Sequence, residues 1–208
     1  MKTVFVDVDT QLDFLYPAGA LYVPGAERIV PAIEQLNRYA AAQGITVLST
    51  MDAHSEDDAE FRSWPPHCIA GTQGQHKACA TLLDKRVVIP NRERAFSLEG
   101  ARQILLEKQT VDAFATLTLP RVVEALGADS FVVYGVVTEI CVLYAARGLL
   151  AAKRRVAVVS EAVKELHAGD AARAYSEIRS LGGSVTTLSD VLYGTWPGLA
   201  GLPKSFRR

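Results

Sequence analysis

The chain has little of what would mark a membrane, nucleic-acid-binding or secreted protein. Across its 208 residues no uncharged apolar run reaches the roughly 18 residues of a membrane span. Neither charge sign is in excess: 22 Lys and Arg face 23 Asp and Glu, and a net charge of −1 offers no field to gather nucleic acid or an anionic membrane. Cysteine is scarce. Cys68, Cys79 and Cys141 cannot all pair within the chain, and none stands in a C-x-x-C pair. That excludes a thioredoxin-type site and a four-cysteine zinc site, and makes a disulfide framework a poor fit. Asp7 interrupts the first apolar run too early for a signal-peptide core, so a cytoplasmic protein is expected. The first strand leads into D-x-D-T-Q rather than G-x-G-x-x-G, which argues against a dinucleotide-binding oxidoreductase, and no organic cofactor is expected.

What is present is an ordinary globular balance, 49% hydrophobic and 22% charged residues, in a regular alternation of short and long patterns. Strands are expected over Lys2–Val8, Ile45–Thr50, Arg86–Ile89, Phe131–Val137, Arg155–Ser160 and Ser184–Leu188. Helices are expected over Glu27–Gln43, Arg121–Leu126, Thr138–Ala152 and Ala168–Leu181. Strands separated by helices predict an α/β fold, a mostly parallel sheet covered on both faces in three α/β/α layers. With no internal repeat, low-complexity tract or linker-like shift, residues 1–208 read as one domain. Only Met51–Ala80 breaks the rhythm. It holds His54, His67 and His76, two cysteines and Trp64-Pro65-Pro66, and a loop of that length is a functional candidate.

Ligands of an open α/β sheet bind at the carboxyl ends of its strands. Segments predicted to converge there are Asp9–Phe14, Asp52-Ala53-His54, Lys108 and Thr138–Cys141. Taken singly, Asp9 reads as a loop acid, Lys108 as a solvated lysine and Cys141 as a small buried hydrophobe. Together they compose a site. With Thr138 as N-cap, Cys141 falls in a first helical turn, whose free N–H groups favour a thiolate and can receive an oxyanion. Asp9 would then be its base and Lys108 its cation. Asp52, His54 and His67, with Glu60 between them, have side chains suited to zinc, iron or manganese. His76 and His167 lack such neighbours and read as surface residues.

The segments D-T-Q-L-D-F at Asp9, D-A-H at Asp52, W-P-P-H-C-I-A-G-T at Trp64 and T-E-I-C at Thr138 occur in the order found in one family. The set resembles the nicotinamidase branch of the isochorismatase-like cysteine hydrolases, from about Val4 to about Val163. The resemblance implies a six-stranded, Rossmann-like parallel sheet and a metal-dependent amidohydrolase that converts nicotinamide, and pyrazinamide, to the acid and ammonia through a thioester. By the same resemblance Cys141 is the nucleophile, Asp9 the base and Lys108 the third catalytic residue. Asp52, His54, Glu60 and His67 hold one divalent metal ion, zinc first and iron or manganese as alternatives. Phe14 and Trp64 sandwich a flat ring. A cis bond between Val136 and Val137 turns the Val137 N–H, with that of Cys141, into an oxyanion hole. The expected partner is a small amide, with neither nucleic acid nor membrane, and a homo-oligomer is the expected assembly. The alternative within the family is a hydrolase of another small amide or carbamoyl substrate; outside enzymes, it is a non-catalytic binding module. Two departures stand out: Ala53 replaces the aromatic usual between the metal-binding Asp and His, and Pro90–Leu106 matches nothing in the family.

Overall fold

The computed structural model describes residues 2–93 and 95–197. Among them seven strands form one sheet: β1 Thr3–Val8, β2 Thr46–Asp52, β3 Arg86–Ile89, β4 Gln103–Lys108, β5 Ser130–Val136, β6 Arg155–Lys164 and β7 Ser184–Thr186. Their order is β3-β4-β2-β1-β5-β6-β7, and every pairing is parallel. β1 and β5 are buried along their whole length, which is why both read as nearly unbroken Val-rich runs. The helices are α1 Leu12–Leu15, α2 Val30–Ala42, α3 Leu119–Leu126, α4 Leu143–Ala151, α5 Ala168–Ser180 and α6 Leu188–Leu192. From β1 the chain crosses through α2 to β2 on one side; from β5 it crosses through α4 to β6 on the other. Right-handed crossovers running in opposite directions place α2 and α4 on opposite faces and open a crevice above the carboxyl ends of β1 and β5.

The sheet has seven strands where six are expected, and the added one is β4. Its apolar centre, Ile104-Leu105-Leu106, is only three residues long, flanked by Gln103 and by Glu107-Lys108. A buried strand whose ends carry polar groups into a hydrogen-bonded interior loses the apolar signature. The expected 27–43 helix divides into a 3-10 turn, Ala26–Ile29, and α2, because Pro31 is tolerated only in a first helical turn. α3 starts two residues early for the same reason, with Pro120 in its first turn. β7 stops at Thr186 because the Thr187 hydroxyl accepts the Asp190 N–H at 3.0 Å and starts α6.

Candidate active site

Four strand ends deliver the side chains. Val8 pairs with Thr50 in the β1–β2 register, and Asp9, just beyond, turns into the left-handed region at φ 50°. Two bonds from one neighbour hold it there: the Asp9 N–H donates to Thr50 O at 3.2 Å, and Thr50 Oγ1 donates to Asp9 Oδ1 at 2.7 Å. Lys108 ends β4 directly opposite Asp52, which ends β2. Its ammonium donates to Asp52 Oδ1, lies 3.0 Å from Asp9 Oδ2 and stands 4.0 Å from Cys141 Sγ. Cys141 follows β5, where Gly135 has φ 119° and a Cβ would fall 2.0 Å from Val8 O, so only glycine fits. The Val136–Val137 peptide bond beyond it is cis. Thr138 does not cap the helix with its side chain, as its position suggests. Thr138–Val142 is instead a π turn, with the Val142 N–H reaching Val137 O at 3.1 Å, and α4 begins only at Leu143.

These charges settle against one another. Burial works against ionising Asp52, but the Lys108 ammonium and the neighbouring imidazoles of His54 and His67 hold its carboxyl far below the usual carboxylate range. Burial raises Asp9 above its ordinary value, outweighing Lys108 and aided by the negative Asp52. For Lys108 burial is again the largest influence and opposes charge, yet Asp52 and Asp9 keep it protonated well above an ordinary lysine. The thiol of Cys141 is pushed up by burial, only partly offset by Lys108, with Asp9 and Asp52 adding to the rise and Asp9 accepting the S–H. A thiolate favoured by the helix end is therefore not the resting state. Cys141 rests as the neutral thiol, with Asp9 as its hydrogen-bond partner.

Beside this group Asp52, His54 and His67 bring ligand atoms within 4.8 Å of one another. The chain achieves this by a short parallel pairing: His54 N–H donates to Cys68 O at 3.1 Å, and Ala70 N–H donates to His54 O at 2.9 Å. Gln11 clamps the peptide of Asp52 from both sides, accepting its N–H and donating to its carbonyl. His67 Nδ1 lies 2.7 Å from Pro65 O, a carbonyl that can only accept, which fixes the ring with Nε2 3.6 Å from Asp52 Oδ2. His54 Nδ1 faces Asp58 Oδ2 at 3.1 Å, and its Nε2 is buried without a hydrogen-bond partner. Ligands at about 2.0–2.2 Å from one cation lie at most about 4.4 Å apart. An unsatisfied imidazole nitrogen, a second fixed imidazole and an ionised carboxylate at nearly that spacing fit a divalent metal. Glu60 lines the same pocket but is not among the three clustered ligands. Burial raises its carboxyl, and the negative Asp52 adds to this.

Asp52 and His67 from one group and Cys141 from the other line one pocket of about 450 Å³, space open to solvent included. Phe14 and Trp64 line it, as do Val137 and Cys141, so the expected aromatic pair and oxyanion pair share a chamber with Asp52, Glu60 and His67. Phe14 packs on the His67 ring at 5.3 Å, and His76 and His167 are exposed outside it. Several participants escaped the sequence reading. Asp58 both caps the Ala59–Arg62 turn, accepting Glu60 N–H at 2.9 Å, and faces His54; an acid ahead of A-E-F was its only signal. Asp13 accepts the N–H of Cys68 and of Ala20, tying the His67 segment to the loop whose Leu21, Tyr22 and Val23 form a pocket wall. Val111, Ile140 and Leu166 complete the apolar side, and nothing in their sequence surroundings marked them.

The model of the isochorismatase domain matches residues 3–190. The chain belongs to the isochorismatase domain family. Among curated relatives it is 24% identical over 212 residues to a nicotinamidase of Escherichia coli, covering 88% of this chain and 93% of the relative. It is 28% identical over 198 residues to a maleamate amidohydrolase of Pseudomonas putida, covering 92% and 85%. Among solved structures it superposes on a pyrazinamidase of Pyrococcus horikoshii in complex with zinc, with TM-score 0.72 and 26% identity, covering 90% of this chain and 99% of that one. Among the described residues no helix is long and apolar enough to cross a membrane.

Proposed function

We propose that this hydrolase cleaves the carboxamide of an uncharged planar heteroaromatic amide, nicotinamide or pyrazinamide, by thioester chemistry on Cys141. One observation carries the choice among the activities named for its relatives. Lys108 is already spent on Asp9 and Asp52, and none of the described residues lining the pocket is a lysine or arginine. The lining instead carries two acids, Asp52 and Glu60, and the aromatic pair Phe14 and Trp64. A carboxylate substrate such as maleamate, moved into this chamber, loses its hydration without gaining a lysine or arginine partner from the lining. A flat neutral ring loses little and gains aromatic contact.

In this reading Cys141 Sγ attacks the carboxamide carbon as its proton passes to Asp9. Asp9 is raised toward the operating range of a base and remains held by Thr50. The N–H groups of Val137 and Cys141 receive the negative oxygen. Asp9 returns the proton to the leaving nitrogen, releasing ammonia and leaving the acyl group on sulfur. Asp9 then takes a proton from water as its oxygen attacks the thioester, and the acid departs with the thiol restored. Lys108 keeps its proton throughout and offsets the charge that moves between Asp9 and Cys141. Asp52, His54 and His67, with Glu60 in reach, would hold the metal; zinc suits two imidazoles and a carboxylate, and when bound it supplies Lewis acidity and an open coordination position.

The test is ammonia release from nicotinamide, pyrazinamide, benzamide and maleamate by the zinc-loaded protein. Nicotinamide and pyrazinamide should be preferred. Benzamide, which has the shape but no ring nitrogen, should be far slower, because a site built around a polar contact rejects analogues lacking it by up to roughly 10⁴–10⁵. Preference for maleamate would overturn the reading.

A further inference from the structure

A second buried ion pair lies beside the proposed base, and the reaction above does not use it. Lys77 Nζ is 3.4 Å from Asp7 Oδ2, and both side chains are almost fully buried. Lys77 Nζ also donates to Thr50 O at 3.1 Å. That is the same carbonyl that accepts the Asp9 N–H at 3.2 Å, on the same residue whose hydroxyl donates to Asp9 Oδ1 at 2.7 Å. The ammonium is thus one atom removed from the first bond fixing Asp9 and one residue removed from the second. Asp7 secures the other flank. Its carboxylate accepts from Thr10 Oγ1 at 2.7 Å, and from Ser49 Oγ and Asn37 Nδ2 at 3.1 and 3.5 Å. Thr10, the residue after Asp9, is further held by Ala78 N–H, which donates to its carbonyl at 3.0 Å.

The need for such holding is visible in the backbone. Asp9 sits at φ 50°, a left-handed conformation that a non-glycine residue keeps only where its surroundings over-determine it. Stability alone does not account for the pair. Taking two charges out of water costs several kcal/mol each, and apolar side chains of similar volume generally serve a core as well or better. An ion pair at this point, bonded to Thr10 after Asp9 and to Thr50 opposite it, does what apolar packing cannot: it fixes the direction of a carbonyl.

We propose that Lys77 and Asp7 are positioning residues for Asp9, locking Thr50 and Thr10 so that the carboxylate stays aimed at the Cys141 thiol. This rests on the reading of Asp9 as the base that takes the thiol proton. The experiment compares the zinc-loaded wild type with Lys77→Met, the charge-neutral pair Asp7→Asn/Lys77→Met and Asp9→Asn. Three quantities are measured: the thermal midpoint, kcat and KM on nicotinamide, and the rate of Cys141 alkylation by iodoacetamide at one fixed pH. The double variant leaves no lone buried charge and should fold. Its kcat should fall about 10- to 100-fold, the range that a displacement of about 1 Å can cost, with KM within about twofold. Its alkylation should slow in parallel, a change that a merely structural role would not produce in folded protein. A folded double variant with wild-type kcat and alkylation rate would overturn the proposal while leaving Asp9 as base. Wild-type alkylation in Asp9→Asn would overturn both. Failure of both Lys77 variants to fold would make the pair a folding element and overturn the proposal as well.

Discussion

At Cys141 two influences oppose each other. The free N–H groups of a helical first turn stabilise a thiolate, while burial and two nearby carboxylates favour the neutral thiol, and the second group prevails. In the proposed reaction Cys141 is therefore made reactive by a base at the moment of attack rather than by standing ionised. Cys141→Ala removes only Sγ from a turn that tolerates alanine well. Ammonia release should fall below a few per cent of wild type with the thermal midpoint nearly unchanged, and substantial residual turnover would remove Cys141 from the role. Cys68, whose thiol burial pushes far up, and Cys79, exposed on the surface, should be dispensable for turnover. The base imposes a pH dependence. Asp9 must be ionised to act, and its value is raised above 3.8, so kcat/KM should decline on acidification through a limb above that of an ordinary aspartate. Stability runs the other way for this residue. A raised folded-state value means Asp9 contributes stability below its unfolded value of 3.8 and loses it as pH rises through the folded value. Asp9→Asn should thus be inactive and, near neutrality, melt a few degrees higher, an advantage that disappears below about pH 4. Equal melting at both pH values would show that burial does not raise Asp9.

At the scale of elements, legibility followed exposure to a simple period. β1, β5 and β6 are Val-rich and β2 is largely apolar and β-branched, so all four read directly, and the D-T-Q-L-D-F, D-A-H and T-E-I-C segments fall at or just past the ends of β1, β2 and β5. β4 did not read as a strand, because Gln103 and Lys108 are buried by virtue of hydrogen bonds and ion pairs that a hydropathy pattern does not register. For the same reason Lys108 was assigned its role as third catalytic residue only through the family resemblance, not by any strand around it. The pairing of His54 with Ile69 was equally silent, since a single bridge between loop residues has no period. That bridge makes a testable unit of the metal ligands. After equilibration with zinc, elemental analysis should give about one ion per chain, and His54→Ala should lose it. Asp58→Asn leaves every ligand in place but weakens the partner of His54 Nδ1, and should lower zinc affinity about 10- to 100-fold. Chelator should lower the melting point of wild type, since a ligand of the folded state stabilises by mass action. Unchanged affinity in Asp58→Asn would mean that its contact with His54 is incidental to the site.

Over the whole molecule the distribution of charge decides how substrate arrives. The chain carries a net charge of −1, and the charges nearest the nucleophile, those of Asp9, Asp52 and Lys108, are buried and mutually paired. Pairing at about 3 Å cancels a field within a few ångströms, so little remains to steer a ligand across solvent. Composition alone thus anticipates a site that collects its substrate by fit, and the described pocket, walled by Phe14, Trp64 and the apolar side chains of three loops, agrees. The consequence is kinetic. An enzyme that draws in a charged substrate loses kcat/KM steeply as salt shortens the Debye length from about 30 Å at 0.01 M to about 3 Å at 1 M. With the uncharged amide proposed above and a nearly neutral protein, neither the encounter nor the buried ion pairs should respond. We expect kcat/KM for nicotinamide to change less than about twofold across that salt range, provided zinc remains bound, with KM and kcat each flat. A fall of tenfold or more would mean that long-range charge gathers the substrate, which an amide without charge cannot supply, and the physiological substrate would then have to carry one.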